Sequence, residues 1–249
     1  MKVDNDVKKS PDPTKLQYSA IVLGATGNVG ARIVHLLIKN PLCGRVVVVT
    51  RRKTDAYADS KVSEVVVNMD RLEEEAAPHA RGVDIAFAAF GVGKGSAKMP
   101  TEEVRKIEVA YPQAFCRAAR AGGARVCAVM TATGADPGAG MKYARIIGEK
   151  EKAVESVKFE FLGVYRPAVI LGNSNTPGAL ACVMPLLHRA LPSRYHSIHK
   201  NDLARAMVAQ SEQAFLAIAQ GNDPREATVK ILEYKEMQAF FVNGDSAER

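Results

Sequence analysis

Three glycines, Gly24, Gly27 and Gly30, stand between an apolar run at 18–23 and a stretch at 31–38 with a helical apolar stripe. Glycine at these points does its chemistry with the backbone. The first permits a sharp turn off a strand, the second lets N–H groups approach an anion, and the third lets a helix close onto a sheet. The helix start then offers unsatisfied N–H donors and a partial positive charge. A pyrophosphate suits such a turn. The spacing is GxxGxxG rather than GxGxxG, so context must support it, and a second strand beginning near Val46 completes the required βαβ unit. Thr26, Asn28 and Val29 complete the turn and are expected contact residues.

That second strand ends Val49-Thr50-Arg51-Arg52-Lys53, with no carboxylate before Asp55. An acid at a strand end of this kind holds a ribose 2′-hydroxyl, whereas arginine takes a 2′-phosphate. A guanidinium forks onto phosphate, and a carboxylate repels it. Arg51 and Arg52 therefore predict NADP(H) as the cofactor.

Positioning these groups needs an α/β framework. Apolar strands are predicted at 19–23, 45–50, 63–68, 83–90, 125–130 and 159–165, and amphipathic helices at 28–39, 72–79, 101–121 and 141–157. Alternation of strands and helices, with strands apolar throughout, predicts a parallel sheet covered on both faces. The fold class expected is α/β, a Rossmann-type doubly wound parallel sheet with a small C-terminal lobe. Pro112 should kink or split the helix at 101–121. Residues 1–17 read as a flexible tail and 18–249 as one NAD(P)-binding domain, with 170–249 contributing a substrate or partner lobe. After Pro167 the sheet reads as complete. A loop at 172–178 and two or three helices follow.

The chain has 249 residues, is 47% hydrophobic and 24% charged, and carries a formal net charge of +7. The length allows one large domain. No apolar run approaches the ~20 residues of a membrane span. The amino terminus mixes lysine and aspartate, which suits neither a secretory signal nor a transit peptide and predicts a cytoplasmic location. Cys43, Cys116, Cys127 and Cys182 show no metal spacing and read as reduced thiols; no metal is expected. Basic residues are dispersed apart from 51–53, and aromatics make up only 6%. A specific nucleic-acid partner is not expected.

The glycine turn, the basic triplet, Thr131-Ala-Thr-Gly-Ala-Asp136, Tyr143 and Tyr165-Arg-Pro-Ala168 fall in one order. In that order the chain resembles an atypical short-chain dehydrogenase/reductase of the Tat-interacting-protein and NmrA-like branch, over roughly residues 18–207. The resemblance implies a cofactor across the carboxyl ends of the strands. It places Asn68 and Met69 at the adenine, and Ala89, Phe90 and Gly91 at the ribose and pyrophosphate. Pro167, Ala168 and Val169 would flank the nicotinamide.

The resemblance also implies a catalytic pair. Thr131 would hold a substrate carbonyl and Tyr143 would give or take the proton. A lysine four residues after the tyrosine would lower its pKa, but Ile147 stands there. A free tyrosine has a pKa near 10 and is a poor base without a neighbouring cation. Lys142, Lys150, Lys94 and Lys98 are the alternative cations. Lys150 shares Tyr143's helical stripe about 10 Å further along the axis. Reduction needs only a neutral tyrosine. Two readings follow: an NADPH-dependent oxidoreductase on a small-molecule carbonyl substrate, or an NADPH-binding scaffold, regulatory or assembly protein with a protein partner. A homodimer fits either. His188, His196 and His199 are expected to be structural.

Overall fold

The computed structural model describes residues 16–93, 96–172, 191–222 and 227–241. Most of the predicted tail, the loop at 173–178, Lys94, Cys182 and His188 lie outside these residues.

The elements run β1 (Tyr18–Leu23), α1 (Asn28–Lys39), β2 (Cys43–Thr50), β3 (Val62–Val66), α2 (Leu72–Ala80), β4 (Ile85–Ala88), α3 (Thr101–Arg105), a π-helical segment (Lys106–Ala110) and α4 (Tyr111–Ala121). Then come β5 (Val126–Met130), α5 (Lys142–Glu155), β6 (Phe161–Tyr165), β7 (Ile170–Leu171), β8 (Ile198–His199), α6 (Lys200–Ala219), β9 (Thr228–Leu232) and α7 (Tyr234–Gln238). Seven strands form one sheet in the order β3-β2-β1-β4-β5-β6-β9. Every neighbouring pair in it is parallel. This is the predicted Rossmann-type sheet. The strand order reverses between β1 and β4, so a crevice opens at their carboxyl ends.

The strands are apolar on both faces because both faces are covered. Ala20, Val22, Val46 and Val48 pack with Ile33, Leu37, Leu203 and Met207 of α1 and α6. Ile21, Leu23, Val47 and Val49 pack with Leu72, Ala76, Phe115 and Ala119 of α2 and α4. The side-chain period of two sends neighbouring residues to opposite layers.

Two features differ from the sequence expectation. The sheet is not complete at β6: β9, from the tail, adds a seventh strand, and α6 covers one face. The first four residues of β9 are exposed and Lys230 interrupts its apolar pattern, which hides an edge strand from a reading based on apolar runs. The helix expected at 101–121 contains a π turn in which the Tyr111 N–H reaches the Lys106 carbonyl. Pro112 follows directly. It donates no hydrogen bond, and its ring crowds the Glu108 carbonyl four residues back. The wider turn relieves that conflict and sets the position of Glu108.

Candidate functional site

The glycine turn is built on close backbone approach. Gly24 has φ +90, and a Cβ there would stand 2.3 Å from the Ala89 carbonyl oxygen. A Cβ on Gly30 would stand 2.1 Å from the Gly24 oxygen, so α1 rests on the turn itself. Gly27 precedes α1 without a capping side chain, and the helix has no acid in its first turn. Its leading N–H groups, from Asn28 and Val29 onward, therefore have neither an intrahelical acceptor nor a competing carboxylate. Tyr57 braces the turn by donating to the Ala25 oxygen at 2.6 Å.

A cleft of about 740 Å³ opens over this turn. It brings together Gly24, Thr26, Gly27, Arg51, Arg52, Met69, Ala89, Phe90 and Gly91. The loop bearing the arginines is tied to β3: Glu64 accepts from the Thr54 and Asp55 amides at 2.7 and 3.2 Å and from the Thr50 hydroxyl at 3.3 Å. Asn68 is not in the cleft lining. Its side chain accepts from the Asp70 amide at 3.0 Å and shapes the turn that carries Met69. Val92, Met99, Lys106, Ile107 and Tyr111 also line the cleft and were not singled out from the sequence. Lys106 and Tyr111 both reach Asp70, at 2.6 and 2.7 Å, which fixes their part of the cleft wall. Lys106 and Ile107 belong to the π segment, and only Pro112 signalled it.

The predicted catalytic pair and the residues assigned to the nicotinamide lie outside that lining. Tyr143 is the second residue of α5 and is 42% exposed. Desolvation by the surrounding protein raises its pKa above the ordinary tyrosine value, with the Glu108 carboxylate adding in the same direction. Its phenol thus carries its proton at neutral pH. Ile147 is buried one turn further on. Lys142 donates to the Met99 carbonyl at 3.2 Å. Lys150 is buried and faces Glu108. Thr131 ends the β5 region 8% exposed. Its hydroxyl is turned onto the Glu151 carboxylate at 2.8 Å, with the Tyr165 oxygen at 3.1 Å. Arg166 grips the same carboxylate through two nitrogens, at 2.8 and 2.5 Å. Pro167 and Val169 spend their carbonyls on the Thr133 and Ile198 amides, which fixes the segment containing Ala168. His199 caps α6 and His196 contacts the Leu191 oxygen, both structural positions.

The sheet order, the uncapped helix start and the cleft across them define a dinucleotide-binding protein of the Rossmann type. A family model described as NAD(P)H-binding matches residues 24–214. The chain belongs to that family and is an atypical member of the short-chain dehydrogenase/reductase class, NmrA-like in type. It is 30% identical over 155 residues to Protein HTATIP2 of Rattus norvegicus, covering 61% of this chain and 63% of that protein. It is 25% identical over 234 residues to Protein FMP52-1, mitochondrial, of Scheffersomyces stipitis, covering 90% and 98%. A short chain dehydrogenase from Burkholderia cenocepacia, solved in complex with NADP, shares the fold with a TM-score of 0.59 at 13% identity, over 90% of this chain and 91% of that one. Among the described residues no helix is long and apolar enough to cross a membrane.

Proposed function

We propose that the protein is an NADPH-dependent oxidoreductase that reduces a small carbonyl compound. The carrying observation is that Arg51 and Arg52 line the same cleft as the glycine turn. NADPH, when bound, supplies a hydride. The residues fit it: the first-turn N–H groups of α1 suit a pyrophosphate, and the two guanidinium groups suit a 2′-phosphate. Met69 would lie at the adenine, residues 89–91 at the ribose and pyrophosphate, and residues 167–169 at the nicotinamide. Tyr143, protonated at neutral pH, would give its proton to the carbonyl oxygen. Residues beyond 170 would supply the substrate side of the domain.

A second reading, an NADPH-binding scaffold, regulatory or assembly protein, is favoured by Thr131. Its single proton is committed to Glu151 or the Tyr165 oxygen. It would hold a substrate carbonyl only by turning that proton away.

Isothermal titration with NADPH and NADH tests the cofactor. NADPH should bind at least about tenfold tighter, the scale of one charge-assisted contact. Arg51→Asp should remove most of that preference while leaving NADH binding in place. Equal affinities in the unaltered protein would sink the proposal.

A further inference from the structure

Lys150 and Glu108 are buried together, Nζ to Oε2 at 3.2 Å, each side chain 2% exposed. Removing two charges from water is costly, and their attraction recovers that cost only with good geometry and further hydrogen bonds. Here the further bonds converge on one loop. Lys150 Nζ donates to the Phe90 carbonyl at 2.9 Å. Glu108 Oε1 accepts from the Val92 amide at 2.8 Å. Between them Gly91 lies against the carboxylate, where a Cβ would come within 2.7 Å of Oε1. Phe90, Gly91 and Val92 all line the cleft.

We infer that the Lys150–Glu108 pair is a positioning clamp that holds residues 90–92 in the shape that receives the dinucleotide. The inference rests on the dinucleotide reading of the cleft. The loop follows β4 at the point where the sheet order reverses, facing the glycine turn across the crevice. A loop there has a free carbonyl and a free amide to place, and it has no strand partner for either. The ammonium supplies the donor and the carboxylate supplies the acceptor. Each arm comes from a different element, Lys150 from α5 and Glu108 from the π segment. π turns recur at functional sites, and this one carries Glu108 under the loop while Lys106 and Ile107 form cleft wall.

The test is the double variant Lys150→Met with Glu108→Gln. It leaves no stray buried charge and keeps an acceptor for Val92, but removes the donor to Phe90. Circular dichroism and the melting temperature should stay close to those of the unaltered protein. The dissociation constants of NADPH and NADH should both rise about tenfold, the scale of one lost charge-assisted hydrogen bond. Equal loss for both cofactors marks the loop, because the arginine end affects NADPH alone. A folded double variant that binds both within about twofold of the unaltered protein overturns the clamp and leaves the dinucleotide reading standing. An unaltered protein that binds neither cofactor overturns both. Hydrogen exchange on the nucleotide-free, unaltered protein gives a second measurement. The Val92 amide should exchange far more slowly than an open loop amide. Exchange there at the unprotected rate overturns the clamp, whatever the double variant does.

Discussion

The turn between β1 and α1 and the region around α5 are built in opposite ways. The turn is assembled from backbone. Gly24 and Gly30 allow carbonyl contacts that no side chain would survive, and the groups left over are N–H donors. The α5 end is assembled from side chains that mostly satisfy one another. Thr131, Glu151 and Arg166 form one closed network, and Lys150 and Glu108 form another. Tyr143, at the start of α5, is partly exposed, and desolvation with the Glu108 carboxylate keeps its proton on. The glycine turn leaves its N–H donors open for a ligand, whereas the region around α5 has spent most of its donors internally.

That contrast predicts unequal sensitivity to mutation. The largest effect should come from Gly27→Val. A Cβ there meets only the Gly24 oxygen, at 3.2 Å, so the fold should accept the change with modest strain. The branched side chain then occupies the space a pyrophosphate needs. Binding of both dinucleotides should fall below detection in titration, with a near-native circular dichroism spectrum. Unchanged affinity would mean that the dinucleotide lies elsewhere, and the contrast between the two ends would collapse.

Tyr143→Phe should come second. If Tyr143 donates the proton, turnover of a reducible carbonyl should drop by roughly 10²- to 10⁴-fold, the usual worth of a positioned general acid. NADPH affinity should stay the same, since Tyr143 lies outside the cleft lining. Steady-state rates on an aldehyde and quinone panel check this. Equal rates for both proteins would favour the scaffold reading.

The sequence disclosed these regions unequally, for physical reasons. A glycine triplet at a strand–helix junction is a local signal, because its spacing can be read without the fold, although the Ala89 carbonyl that Gly24 clears comes from another strand's end. The basic end of β2 was legible for the same reason. Glu108 and Lys150 are 42 residues apart and meet where the π segment ahead of Pro112 packs on α5, which no periodicity displays. Thr131 was legible as a strand-end hydroxyl, but its commitment to Glu151 depends on the packing of α5 against β5. Among the strands, β9 was hidden by its exposure. An edge strand carries little of the apolar pattern on which strand recognition rests.

The smallest expected change in reductive rate, and the sharpest for the comparison, belongs to Ile147→Lys. Ile147 sits four residues after Tyr143 and is buried. Lys150, the lysine on Tyr143's own helical stripe, is balanced by Glu108. Tyr143 therefore has desolvation and a carboxylate acting on it, both raising its pKa. Raising the pKa of an acid keeps its proton on, so reduction in the unaltered protein should show no alkaline decline up to pH 10. A lysine at 147 adds a cation without a matching anion and should lower the tyrosine pKa. The reductive rate near pH 7 should change little, because the phenol is protonated in both proteins. An alkaline limb should now appear below pH 10, and the reverse oxidation of an alcohol should gain, since it needs the phenolate. A pH–rate profile of both proteins, in both directions, reads this directly. A profile that stays flat in the variant, with no gain in oxidation, would show that Tyr143 does not exchange a proton with the substrate. The α5 end would then be a closed structural network beside a working nucleotide turn.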